Sequence, residues 1–127
     1  MEERKFTYPK GEKLKSRTTI GLMFTEGKSV SKYPLRLVYV PLEDSSEGMM
    51  KMGVSVSKKH FKRAHDRNYF KRVLRETYRH HKHILLDRLD KPYALMFFYQ
   101  TKDRLTFEEI NTKTIQLFEK FAAQEEL

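Results

Sequence analysis

Apolar residues recur along the first third of the chain at helical spacing. Ile20, Met23 and Phe24 stand at i, i+3 and i+4 within residues 16–25, which is the pattern of an amphipathic helix. Gly27 follows directly and is a common stop signal for a helix. The pattern therefore predicts a short helix over residues 16–25.

Two segments with strand-like patterns come next. Residues 35–40 are mostly apolar and end at Pro41, whereas residues 49–57 alternate, with Met52, Val54 and Val56 on one side. Residues 43–48 between them are acidic and rich in Ser and Gly, which indicates a turn. We predict that the two strands pair as a hairpin.

The second half predicts two helices around a third strand. Residues 93–99 (YALMFFY) are almost continuously apolar, as in a central strand covered on both faces. A helix is expected over about 66–81, with Asp66 at its N-cap or in its first turn. Thr106 and Glu109 have the spacing of a capping box, which begins the last helix. Its apolar positions are Ile110, Thr114, Leu117, Phe118 and Phe121. This order of elements favours an α+β fold.

Length and composition limit the classes of protein that fit. A chain of 127 residues suits one domain, here 1–127, with residues 1–13 as an irregular basic arm and 123–127 as a short acidic tail. Cysteine is absent, which excludes disulfides and thiolate metal sites. No apolar run approaches the roughly 20 residues of a membrane span, and the first residues lack the apolar core of a secretory signal. We therefore expect a cytoplasmic protein without a membrane partner.

The positive charge is concentrated in one segment. The formal net charge is +9, and residues 51–82 contain eleven Lys and Arg against two acidic residues. The flanking segments nearly balance, so the middle segment accounts for the whole excess. Such a block attracts a polyanion.

The predicted second helix separates this charge onto one side. At 100° per residue, Arg67, Lys71, Arg72, Arg75 and Arg79 fall within an arc of about 140°, and Asn68 lies among them. The apolar residues of the helix fall on the opposite arc. A solvated helix face is one explanation, but exposed structural helices usually mix charges. A helix that follows phosphates is the other, because guanidinium groups bind phosphate oxygens in bidentate fashion.

The motif around this helix resembles a known family. Residues 53–59 (GVSVSKK), followed by Arg67-Asn68, Lys71-Arg72 and Arg75, are similar to the signature of the bacterial ribonuclease P protein family. The resemblance covers roughly residues 12–122. Two departures stand out: Tyr69 replaces an arginine of the motif, and the link between Lys59 and Arg67 is one residue longer than usual.

The resemblance implies both a fold and a function. The fold would be a two-layer α/β sandwich with a mixed sheet of about four strands, three helices and a left-handed βαβ crossover. The protein would be the subunit of ribonuclease P that binds the catalytic RNA and the 5′ leader of precursor tRNA, without an obligate protein partner. It would bind no cofactor of its own, since the RNA subunit holds the Mg²⁺ used in hydrolysis.

The resemblance also implies two sets of contact residues. Those for the catalytic RNA are Arg67, Asn68, Lys71, Arg72 and Arg75, to which the charge pattern adds Arg79, Lys62 and Arg63. Those for the leader cleft are Phe24, Ile20, Val38, Ser57, Lys58 and Lys59. Ile20 and Val38 stand where relatives can have aromatic residues, so leader binding is expected to depend more on charge. Plain core packing is the alternative role for Phe24.

Other classes of function fit the sequence less well. His80, His81 and His83, with His60 and His65 as further candidates, suggest a metal site, but no carboxylate pattern completes one. A structural RNA-binding protein of ribosomal or assembly type fits the composition equally well, and only the motif order argues against it. A DNA-binding regulator lacks the expected partner helix upstream.

Overall fold

The chain forms four helices and a four-stranded sheet in the computed structural model, which describes residues 14, 17–43 and 49–127. In chain order the elements are α1 (Arg17–Glu26), β1 (Lys28–Lys32), β2 (Leu35–Pro41), β3 (Met50–Val56), α2 (Ala64–His81), α3 (His83–Leu86), β4 (Tyr93–Tyr99) and α4 (Phe107–Gln124). The α+β class is confirmed, and the helix beyond the three predicted is the single turn α3. The predicted arm 1–13 and most of the predicted turn 43–48 lie outside the described residues.

The sheet has the strand order β1-β2-β4-β3, and this order contradicts the predicted hairpin. Strand β4 lies between β2 and β3, antiparallel to the first and parallel to the second. Its nearly unbroken apolar sequence suits this central position, whereas a period of two reveals a strand but not its partner. The partner of β2 in a hairpin is β1, which sequence reasoning missed because Val30 is its only apolar residue.

The parallel pair β3 and β4 is joined through α2 and α3, so these elements form the βαβ unit that the resemblance implied. Helices α2 and α4 cover one face of the sheet, where Tyr93, Leu95, Phe97 and Tyr99 of β4 are buried in the main core. The left-handed sense of the crossover stays a prediction.

The opposite face of the sheet, here called the α1 face, carries a smaller apolar cluster. Met23 of α1 is buried there with Val38, Val40 and Ala94. Helix α1 packs mainly on β2. Gly27 allows the close passage into β1, since a Cβ there would stand 2.2 Å from the carbonyl oxygen of Met23.

The long helices begin in different ways. Thr106 and Glu109 form the predicted capping box of α4, with the Glu109 amide donating to the Thr106 hydroxyl at 3.2 Å. Helix α2 has Arg63 at its N-cap and no side-chain cap. Asp66 lies in the first turn instead, where Arg104 donates to its carboxylate at 3.0 Å. The negative charge of Asp66 is favourable at this helix end.

The end of α4 is fastened to the sheet. Segment 123–127, expected as an acidic tail, includes the last residues of this helix. The hydroxyls of Tyr39 and Tyr93 donate to the two carboxylate oxygens of Glu125, at 2.9 and 3.0 Å. The contact joins α4 to both β2 and β4.

Candidate nucleic-acid interface

Helix α2 separates into a buried side and a charged side. Phe70, Val73, Leu74, Thr77 and Tyr78 are buried against the sheet and α4. The predicted basic face, made of Arg67, Lys71, Arg72, Arg75 and Arg79, lies on the half-buried and exposed side. Asn68 is exposed beside it. The burial of residues along α2 agrees with the two faces predicted from their spacing in the sequence.

Three cations of this face have no partner in the described part of the chain. Arg72 and Arg75 are exposed and Lys71 is half-buried, and none has a hydrogen bond or ion pair with a described residue. Lys71 and Arg75 stand at i, i+4, a spacing at which like charges destabilise a helix by a few tenths of a kcal/mol. These three side chains therefore offer their donors to an external anion.

Arg67 differs from these three because its guanidinium is already engaged. Its Nη1 donates to the carbonyl oxygens of Phe61 and Lys62, at 2.9 and 2.8 Å. The side chain thereby ties the start of α2 to the loop before it. Its other N–H groups remain for a phosphate, since a guanidinium has five donors.

Arg79, at the far end of the basic face, is also engaged. It donates to the carboxylate of Glu76, which His80 contacts at 3.0 Å. The hydrogen bond from Arg79 lowers the pKa of Glu76 below its usual value. Glu76 therefore stays charged and partly neutralises this end of the face.

The loop between β3 and α2 presents further cations. Ser57 organises it, because the Lys59 amide donates to the Ser57 hydroxyl at 3.0 Å and the Phe61 amide to the Ser57 carbonyl at 3.1 Å. Lys58 and Lys59 are exposed, as are Lys62 and Arg63 nearer the helix. These predicted contact residues form a turn that leads from the end of β3 to the basic face.

Arg104 is a cation beside the start of α2 that sequence reasoning missed. Besides its bond to Asp66, its guanidinium lies 5.3 Å from the ring centre of Phe70 and 6.0 Å from that of Phe61. It belongs to the loop after β4, and no local pattern in the sequence places that loop next to α2.

The residues predicted for the leader cleft are only partly brought together. Phe24 is 69% exposed, so core packing does not explain it. Ile20 is half-buried in the same helix. Val38 is only 8% exposed and belongs to the small cluster beneath α1, so it offers a ligand almost no surface. Sequence reasoning missed two residues of the same sheet face, Arg36 and Phe98, because their position follows from strand register.

The histidines near the end of α2 have separate partners. His80 contacts Glu76, whereas Nε2 of His81 lies 2.7 Å from the side-chain oxygen of Asn111 in α4. Within the part of the chain that the structure describes, no group of three or more His, Asp or Glu could hold a metal ion. Nor is any helix of that part long and apolar enough to cross a membrane.

Comparisons with known proteins agree on one family. The family model for ribonuclease P matches residues 8–122. The chain is 42% identical over 102 residues to a ribonuclease P protein component of Porphyromonas gingivalis, covering 79% of this chain and 74% of that one. It is 31% identical over 111 residues to that of Chlorobaculum tepidum, covering 80% and 72%.

Solved structures show a similar fold. The ribonuclease P protein of Staphylococcus aureus superposes with a TM-score of 0.71 at 20% identity, covering 87% of this chain and 94% of that chain. The protein of Thermotoga maritima gives a TM-score of 0.69 at 24% identity, covering 86% and 96%.

Proposed function

The chain belongs to the bacterial ribonuclease P protein family, and we propose that it uses two separate surfaces for two RNAs. As a protein component of ribonuclease P it associates with the RNA subunit, in a ribonucleoprotein that processes tRNA as an endoribonuclease. In our proposal the basic face of α2, together with Lys62 and Arg63 just before the helix, binds the RNA subunit. The α1 face of the sheet binds the 5′ leader of precursor tRNA.

One observation carries the first part of the proposal: Lys71, Arg72 and Arg75 lie side by side without a partner among the described residues. Each would release counterions on meeting a phosphate, which makes such contacts favourable and salt-dependent. Asn68 adds a neutral donor between them, and Lys62 and Arg63 extend the surface toward the loop. Because repulsion between these cations does not stabilise the helix, packing alone does not explain why they lie together.

The second surface is supported by Phe24 and the turn after β3. An exposed aromatic ring is a stacking platform for an unpaired base, and stacking is the main source of affinity for single strands besides charge. Lys58 and Lys59 supply that charge at the end of β3. Ile20 is a lesser, aliphatic contact, and we leave Val38 out because it is buried.

In this proposal the protein contributes binding and the RNA contributes the chemistry. Hydrolysis of a phosphodiester needs an activated water, which metal ions supply in many nucleases. We assign those Mg²⁺ ions to the RNA subunit, and no side chain of this protein to catalysis or to a cofactor. The complex would work in the cytoplasm, without an obligate protein partner.

Reconstitution tests the proposal. The purified protein is mixed with its cognate ribonuclease P RNA at low magnesium, and 5′ cleavage is followed for a precursor tRNA. We expect stimulation that disappears when the RNA is omitted, together with tighter binding of precursor than of mature tRNA. Absence of stimulation, despite tight binding of unrelated RNAs, would favour a structural RNA-binding protein instead.

A further inference from the structure

On the α1 face of the sheet, one row of residues across the four strands lies beside the small apolar cluster. In the register of the strands, Phe98 of β4 lies opposite Arg36 of β2 and beside Ser55 of β3. Ser31 of β1 continues the row at the edge. Phe98 packs against the small cluster with part of its surface, and it is half-buried. An aromatic ring that is fixed by packing and keeps part of its surface exposed is a suitable platform for stacking.

The charge of this face suits an anionic ligand. Among the strand residues on it, Arg36 and Lys51 are cationic and none is acidic. Arg36 is half-buried and has no hydrogen bond or ion pair with any residue that the structure describes. Directly opposite residues in a sheet lie about 5 Å apart, so this guanidinium can contact the phosphate next to a base on Phe98.

The row also lies near the end of β3, where the loop with Lys58 and Lys59 begins. Ser55 precedes Ser57 by two residues, and Lys58 and Lys59 follow at once. A strand of RNA on Phe98 would therefore continue onto these exposed lysines. Ile20 and Val38 of the predicted leader cleft are aliphatic, and Val38 is buried. Phe98 offers an aromatic surface on the same face.

We infer that Phe98, with Arg36 and Ser55, forms a position that stacks one base of single-stranded RNA. Phe98 supplies the ring, Arg36 the contact to the adjacent phosphate, and the Ser55 hydroxyl a hydrogen-bonding group beside the base. The inference rests on the proposed function, because it assigns to these residues part of the leader-binding surface.

A tryptophan reporter tests the stacking directly. The chain has no tryptophan, so Phe98→Trp introduces a single one, and Phe107→Trp is a matched control at an exposed aromatic of α4. A single-stranded oligoribonucleotide is added to the full chain at low salt, and its binding is followed separately by anisotropy. We expect quenching for the first variant and little change for the control. Binding without quenching at position 98, or no binding of the oligonucleotide, would overturn the inference.

Affinity measurements complete the test. Phe98→Leu keeps an apolar side chain without the ring, whereas Phe98→Tyr keeps the ring. With the reconstituted ribonucleoprotein, Phe98→Leu should weaken binding of precursor tRNA about 5- to 20-fold and leave mature tRNA unchanged. Phe98→Tyr should retain most of the affinity. An unchanged Phe98→Leu variant refutes the stacking position, whereas a wild-type protein that fails to stimulate cleavage refutes the proposed function.

Discussion

At the scale of single residues, the basic face contains cations with different local roles. Arg67 is bound to two backbone carbonyls, whereas Arg75 projects without a partner among the described residues. Both belong to the same motif and look equivalent on a helical wheel. The guanidinium of Arg67 therefore stabilises the loop before α2 in addition to any contact with RNA. Only the folded structure distinguishes Arg67 from Arg75 in this respect.

Alanine substitutions should separate these roles. Arg67→Ala removes two charge-assisted hydrogen bonds, so it should lower the free energy of unfolding by about 1–3 kcal/mol as well as weaken RNA binding. Arg75→Ala should change stability by less than about 0.5 kcal/mol and reduce the salt slope of RNA binding by about one. Urea unfolding and RNA titrations at several salt concentrations measure both quantities. Equal stability of the two variants would show that the loop contacts of Arg67 contribute nothing.

At the scale of elements, the carboxylate of Glu125 helps to hold the end of α4 on the sheet, beside Gln124, which donates to the Tyr39 hydroxyl. Desolvation alone would raise the pKa of Glu125, but the hydrogen bonds from Tyr39 and Tyr93, with Lys28 3.7 Å away, hold it below the usual 4.5. Burial and the same carboxylate raise the pKa of Tyr39 to about 12. The contact therefore operates with a charged Glu125 and two neutral tyrosines.

The stability that Glu125 contributes should depend on pH. Because its pKa is lower in the folded than in the unfolded chain, the contribution is complete above about 4.5 and is lost as the pH falls through the folded value. Glu125→Gln should lower the free energy of unfolding by about 1–3 kcal/mol at neutral pH. In urea unfolding the difference from wild type should shrink below pH 4.5.

The neighbouring residue supplies the control for this substitution. Glu126 is exposed at the end of the same helix, so Glu126→Gln removes the same charge without the tyrosine contacts. We expect it to be neutral or slightly stabilising, since a carboxylate is unfavourable at a helix C-terminus. If Glu126→Gln lowered the free energy of unfolding as much as Glu125→Gln, the effect would come from the net charge and not from the tyrosine contacts.

The elements also show where sequence reasoning succeeds and where it stops. Helix α4 was predictable because its capping box and apolar spacing are local signals, and β4 because seven apolar residues need burial on both faces. The pairing of β2 with β4 was not, since strand order depends on contacts distant in sequence. For the same reason Arg36 and Phe98 escaped notice: each is ordinary in sequence and becomes informative only when register places them opposite each other.

At the scale of the whole molecule, charge is distributed unevenly between segments. The segment 51–82 has the entire excess of positive charge, and residues 83–127 have more acidic than basic residues. The structure places much of the segment's charge on the basic face of α2 and the loop before it. If the RNA contacts lie there, the salt dependence of RNA binding should depend more on the position of a cation than on the net charge of the protein.

Two triple variants with equal charge test this idea. Replacing Lys71, Arg72 and Arg75 by glutamine should reduce the salt slope of binding to the RNA subunit by about 2–3. Replacing Lys91, Lys113 and Lys120 by glutamine removes the same charge from the acidic segment and should leave the slope nearly unchanged. The first variant should fold at least as stably as wild type, because the repulsion between Lys71 and Arg75 is relieved. Equal slopes for both variants would mean that the protein binds RNA through its overall field, without a defined helix face.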